Sequence, residues 1–150
     1  MLDEMRYMPK EGGHSDQVLL KLYEQYLIAV RDIEASYVIA AQIYILQERG
    51  VSEEILRAFR KSAVYFVNDS IIQLENIDEQ LIFGLWSPKY SPIAEKFSKY
   101  LTELTVESHV ALALLEKDKL TLSDVERLAD MIKLFQEYRE KIYDMITGNP

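Results

Sequence analysis

The chain has 150 residues, enough for one domain with a core of its own but short for two. Hydrophobic residues at 49% and charged residues at 28% exclude the disordered class, and the absence of cysteine excludes disulfides, thiolate metal sites and thiol nucleophiles. With 25 acidic against 17 basic residues the net charge is -8, so the average surface repels phosphate and nucleic acid is an unfavoured partner.

Residues 1–14 read as an N-terminal arm. They carry Met1, Met5, Tyr7 and Met8 ahead of Gly12 and Gly13, and methionine and tyrosine on a tether suit an adaptable docking arm. Asp3, Glu4, Arg6 and Lys10 leave no room for the apolar run of a secretory signal, so a cytoplasmic product is expected. The little Asn and the abundant Ile, Tyr and Glu lean toward the composition of hyperthermophilic proteins.

Residues 15–150 read as a bundle domain. The first helix is predicted to start after Ser15, a good N-cap with Asp16 facing the positive end of the dipole. It runs to Arg49, and Gly50 takes the left-handed conformation beyond it. Over about 51 Å, Leu19, Leu22, Tyr26, Ala29, Ile33, Ser36, Ala40 and Ile43 alternate steps of three and four, the seam spacing of a bundle. Between Tyr37 and Leu46 only Gln42 is polar, yet this tract is about half the ~20 residues needed to cross a bilayer and is no membrane span. Because it is apolar on every face, other helices or a second copy must cover it. Tyr37, Val38, Tyr44 and Ile45 are therefore partner-contact candidates.

Ser52 caps the second helix, with Glu53 and Glu54 in its first turn. Leu56, Phe59, Ala63, Phe66, Ser70, Leu74, Ile77 and Leu81 continue the seam to an end near Gly84. Arg57, Arg60 and Lys61 form a compact basic cluster that either pairs with Glu53 and Glu54 or contacts phosphate. The loop after it holds Leu85, Trp86 and Tyr90, bracketed by Pro88 and Pro92. Trp and Tyr in a rigid loop are the residue types of binding hot spots, although the same loop could fold back and plug the end of the bundle.

Ser91 as N-cap and Pro92 at N1 open the third helix, whose seam is Ala94, Phe97, Leu101, Leu104, Ser108, Ala111 and Leu115. After a polar connection, Ser123 and Glu126 make a capping box for the fourth. Its seam is Val125, Leu128, Ile132, Phe135, Arg139, Ile142 and Ile146, and Gly148 stops it. No stretch alternates with period two, so the fold class is all-α. Short connections make sequential helices antiparallel, which gives an up-down four-helix bundle with long helices.

Chemistry is hard to find. A di-iron carboxylate centre needs two Glu-x-x-His pairs, each on one helical face. His109 has Val106 three residues before it, and His14, though spaced from Glu11 correctly, follows two glycines. No glycine sits in a phosphate-cradling motif. Ser108 and His109 are adjacent in a helix and so point about 100° apart, and no G-x-S-x-G elbow exists. Ser36, Ser70, Ser108 and Arg139 occupy seam positions with Glu34, Asp69, Glu107 and His109 nearby. That set is either a ligand site with perturbed acids and bases or simply close helix packing with an arginine that pairs or reaches solvent. No catalytic residue, cofactor or metal is expected.

The expectation is a non-enzymatic interaction protein that self-associates or serves as a subunit of a larger complex, with protein partners and no membrane. It would use the first helix, the Trp86 loop and the arm, including Tyr7 and Met8. One alternative is an acidic inhibitor occupying the basic nucleic-acid channel of a polymerase or nuclease. Another is a small ribonucleoprotein subunit touching RNA through Arg57, Arg60, Lys61, Lys96 and Lys99.

Overall fold

A computed structural model describes residues 14–148. Four helices follow one another: α1 (His14–Glu48), α2 (Glu53–Phe83), α3 (Ser91–Leu115) and α4 (Leu122–Thr147). Among the described residues there is no strand, and no helix is long and apolar enough to cross a membrane. Each helix packs on its neighbours in chain order and α4 returns to α1, so the up-down four-helix bundle is present. Of the two diagonals only α1 and α3 touch.

Periodicity explains which faces meet. Every seam residue of α1 and of α3 is buried, because a three-four alternation keeps one stripe of each helix turned to the common axis. In α2 and α4 the stripe sits slightly off the expected phase. Val67 and Ile71 are in the core where Phe66 was expected, and Met131 takes the place of Ile132. Phe59, Phe66 and Ile132 are half-buried, and Arg139 lies at the margin. The apolar tract of α1 is largely explained by contacts with three other helices: Tyr37, Ile39 and Leu46 pack against the core, while Val38 and Ile45 point outward.

An aromatic cluster centres the core. The Tyr26 ring stacks on Phe135 with centroids 6.4 Å apart and meets Phe97 edge-on at the same distance, and its hydroxyl donates to the Phe135 carbonyl at 2.7 Å. Burial pushes the Tyr26 phenol far up, so it remains a donor throughout the accessible pH range. Each of these fully buried side chains contributes on the order of 1.5–3 kcal/mol through area removed from water. Between α3 and α4 the contact is thinner, bridged by the Tyr100–Tyr138 ring pair at 4.4 Å and the Arg127–Glu107 ion pair at 2.7 Å.

The helix ends differ from the sequence expectation in several places. Ser15 is already inside α1, which begins at His14, and Ser52 stands at the N-cap of α2 without a side-chain capping bond. For α4 the cap is Thr121, not Ser123. The Asp124 N–H donates to Thr121 Oγ1 at 3.1 Å while the Thr121 N–H donates to Asp124 Oδ2 at 2.9 Å, a reciprocal capping box two residues upstream of the expected one. Burial of Leu120 pins the chain so that the helix starts at Leu122. For α3 the N-cap is the buried Tyr90, and Ser91 and Pro92 are already helical. Gly50 at φ 72° and Gly148 at φ 75° adopt the left-handed conformation just past α1 and α4, as expected for C′ glycines.

Candidate interaction surfaces

The α2–α3 turn is built around Trp86. Its indole N–H donates to the Leu81 carbonyl at 2.8 Å, satisfying one of the acceptors that the last turn of α2 leaves open. Gly84 permits this: an added Cβ would stand 2.8 Å from both the Gln80 carbonyl oxygen and Trp86 Nε1. Trp86 is thus a half-buried plug, and Tyr90 is inside the bundle, where a hydrogen bond to Asp16, burial and the Asp16 charge push its phenol up. Beside the exposed Lys89, the turn and the end of α2 expose three large apolar side chains: Phe83 at 76%, Leu85 at 64% and Ile82 at 60% of their surface. Beside them a shallow cleft of about 620 Å³ runs between Leu81, Trp86, Ala94 and Ser98. Of the residues expected in this loop, Leu85 is at the surface, and Phe83 and Ile82 were not singled out from sequence because they sit at the end of a helical pattern.

On α1, Val38 and Ile45 are exposed at 54% and 48%, whereas Tyr37 and Tyr44 are half-buried. Tyr7 and Met8 lie outside the described residues. In the basic cluster, Arg57 and Lys61 are exposed, while Arg60 donates to the Asp118 carbonyl at 3.3 Å and ties α2 to the α3–α4 connection.

The mid-bundle polar set does not assemble into a site. Ser36, Ser70 and Ser108 are buried, and each hydroxyl donates to a backbone carbonyl, of Ile33, Ala29 and Leu104 respectively. Glu34 accepts from Gln136 at 3.0 Å and Glu107 from Arg127, His109 is exposed, and the Arg139 charge acts on Tyr23 and Tyr26. The serines let helices approach and satisfy themselves locally.

A different acidic pair does form. Asp32 on α1 and Asp69 on α2 share a hydrogen bond, and desolvation together with that bond and the Asp69 charge raises the Asp32 carboxyl to about 7. Its Oδ2 is buried and meets no donor. Two carboxylates repel, so the contact holds while one of them carries a proton. Among the described residues no three His, Cys, Asp or Glu side chains gather closely enough to hold a metal ion. Comparison of the chain with protein-family models, with curated proteins and with solved structures finds no match.

Proposed function

We propose that the chain is a non-enzymatic interaction protein, a rigid helical bundle that associates with copies of itself or serves as a subunit of a larger protein assembly. The observation that carries this reading is the apolar cluster Ile82, Phe83 and Leu85, held outward at a turn whose own tryptophan is committed to capping α2. Large apolar side chains grouped on a rigid surface are costly in water and are the usual mark of a protein contact. Val38 and Ile45 offer a second such area on α1.

The polar groups support the same reading, since the buried serine hydroxyls donate to backbone carbonyls and the half-buried Glu34 accepts from Gln136 across two helices. A ribonucleoprotein role has less support, because Arg60 in the basic cluster is already engaged with a backbone carbonyl. Size-exclusion chromatography with light scattering over a concentration series tests the proposal. A mass above 17.5 kDa that grows with concentration, or a stoichiometric co-purifying protein, is expected. A strict monomer at every concentration with no bound partner would count against it.

A further inference from the structure

The apolar surface at the α2–α3 turn lies at the end of the bundle where α1 begins. Tyr90, at the close of the turn, shares a hydrogen bond with Asp16 in the first turn of α1. Lys21 and Gln25 of α1 line one hollow together with Gln80 near the end of α2. From Lys21 back to His14, α1 continues about two turns past the level of Gln80, whereas α2 stops at Phe83. Residues 1–13 therefore join the bundle at the level of the turn.

Reach and chemistry both suit that segment to the surface. An extended chain covers about 3.3 Å per residue, so the arm can span up to about 40 Å, while neighbouring helix axes stand only about 8–10 Å apart. Gly12 and Gly13 at the junction have no Cβ, and a chain can reverse there at little steric cost. Ahead of them come Met1, Leu2, Met5, Tyr7 and Met8, and methionine is the side chain that adapts best to a shallow, irregular apolar surface. The cleft between α2 and α3 is such a surface, with Ile82, Leu85 and Trp86 on its wall and Glu95 at its polar side. Arg6 and Lys10, interleaved with the apolar residues of the arm, can meet that carboxylate.

The tether selects this occupant over others. A separate protein or a second copy must offset the loss of translational and rotational freedom, about 4–15 kcal/mol. A short linker presents its segment at an effective concentration on the order of millimolar, so contacts too weak to hold a free peptide suffice for one attached beside its site.

We infer that residues 1–11 dock in cis over the α2–α3 turn, with Met5, Tyr7 and Met8 set against Ile82, Leu85 and Trp86. The inference rests on the reading of this surface as the interaction site and adds its regulation. Any partner at the turn competes with the chain's own arm and binds more weakly than it would to the bare surface.

The chain has no cysteine, so a nitroxide on an Asp3→Cys variant reports from a single position. Amide spectra of this full-length protein are recorded at low concentration, beside a mixture of unenriched spin-labelled chains with isotope-enriched unlabelled ones. Broadening of the amides of residues 81–87 and 94–98 is expected in the first sample and not in the mixture. It should fall several-fold when Met5→Ser and Met8→Ser are added, and light scattering should show that this released chain associates several-fold more tightly than the parent.

A spectrum without broadening at the turn would overturn the inference. So would broadening found only in the mixture, which marks arms exchanged between copies, and the interaction reading would survive either result. Broadening in cis, together with a released chain that stays monomeric and binds no partner, would uphold the docking and sink the interaction reading.

Discussion

The two ends of the bundle are finished differently. At the end where α1 turns into α2 and α3 into α4, several side chains tie one element to another. The Gln47 amide both donates to the Leu120 carbonyl at 2.8 Å and accepts from the Leu120 N–H at 3.0 Å, so one side chain closes α1 onto the α3–α4 connection. Leu120 is fully buried, Arg60 reaches the Asp118 carbonyl, and Lys117 pairs with Asp124 at 2.9 Å inside the α4 capping box. At the opposite end the α2–α3 turn satisfies its backbone through Trp86 and leaves Ile82, Phe83 and Leu85 in water. One end is closed by hydrogen bonds that stabilise the monomer. Ile45, Ile55 and Leu122 are exposed at that end too, but the α2–α3 turn gathers Ile82, Phe83 and Leu85 within one short stretch, and that concentration motivates an interaction role.

Four perturbations test the difference between the two ends. Gln47→Ala should be the most damaging, at about 2–4 kcal/mol in urea unfolding, because it removes two bonds and strands the Leu120 N–H and carbonyl in a buried setting. Asp124→Ala should cost about 1–2 kcal/mol through loss of the capping box and its lysine. Neither change should alter the association state.

A Phe83→Ser/Leu85→Ser double variant should do the reverse. Its unfolding midpoint should stay within about 0.5 kcal/mol of the parent, while its elution and scattering mass shift toward the monomer.

The smallest effect concerns pH, and it separates two carboxyls. Asp32 is raised from 3.8 to about 7, so the folded state binds the extra proton between those values, and this contribution to stability is lost as pH rises through about 7. Solvent screening at this half-exposed position holds the change to about 1 kcal/mol. Asp124 runs the other way: burial raises it, but the Thr121 and Lys117 hydrogen bonds outweigh burial and lower it, so its contribution is present above the ordinary carboxylate range and lost on acidification. Thermal melts between about pH 5 and 8 should therefore show a gentle fall with rising pH that Asp69→Asn flattens and Asp124→Asn leaves in place.

The fold was legible where the three-four pattern kept its phase. In α1 and α3 every residue of the expected seam is buried, and α1 buries Val18 and Val30 beside it as well. Where two apolar residues stand side by side, as at Phe66–Val67 and Met131–Ile132, either could face the core. The choice is made by the neighbouring helices, which one sequence does not display.

The α4 cap had the same ambiguity in another form. Thr121 with Asp124 and Ser123 with Glu126 both spell a capping box, and the burial of Leu120 decides between them. The surfaces were harder to read. The Trp86 loop stood out in sequence, but which of its residues turn outward depends on the indole reaching back to Leu81. Asp69 was noticed only as a neighbour of the serines. Its pairing with Asp32 requires the register between α1 and α2, which is a property of two helices rather than of either sequence stretch.

The central claim is that association depends on the open end of the bundle and not on the closed one. Native mass spectrometry of the parent, the Phe83→Ser/Leu85→Ser variant and the Gln47→Ala variant, each purified gently from the same expression host alongside material from the native source, tests it most directly. The account expects a species heavier than the monomer for the parent and for Gln47→Ala, and its loss in the Phe83 and Leu85 variant. A parent that is monomeric in every preparation, or an assembly that survives the loss of both apolar side chains, would contradict it.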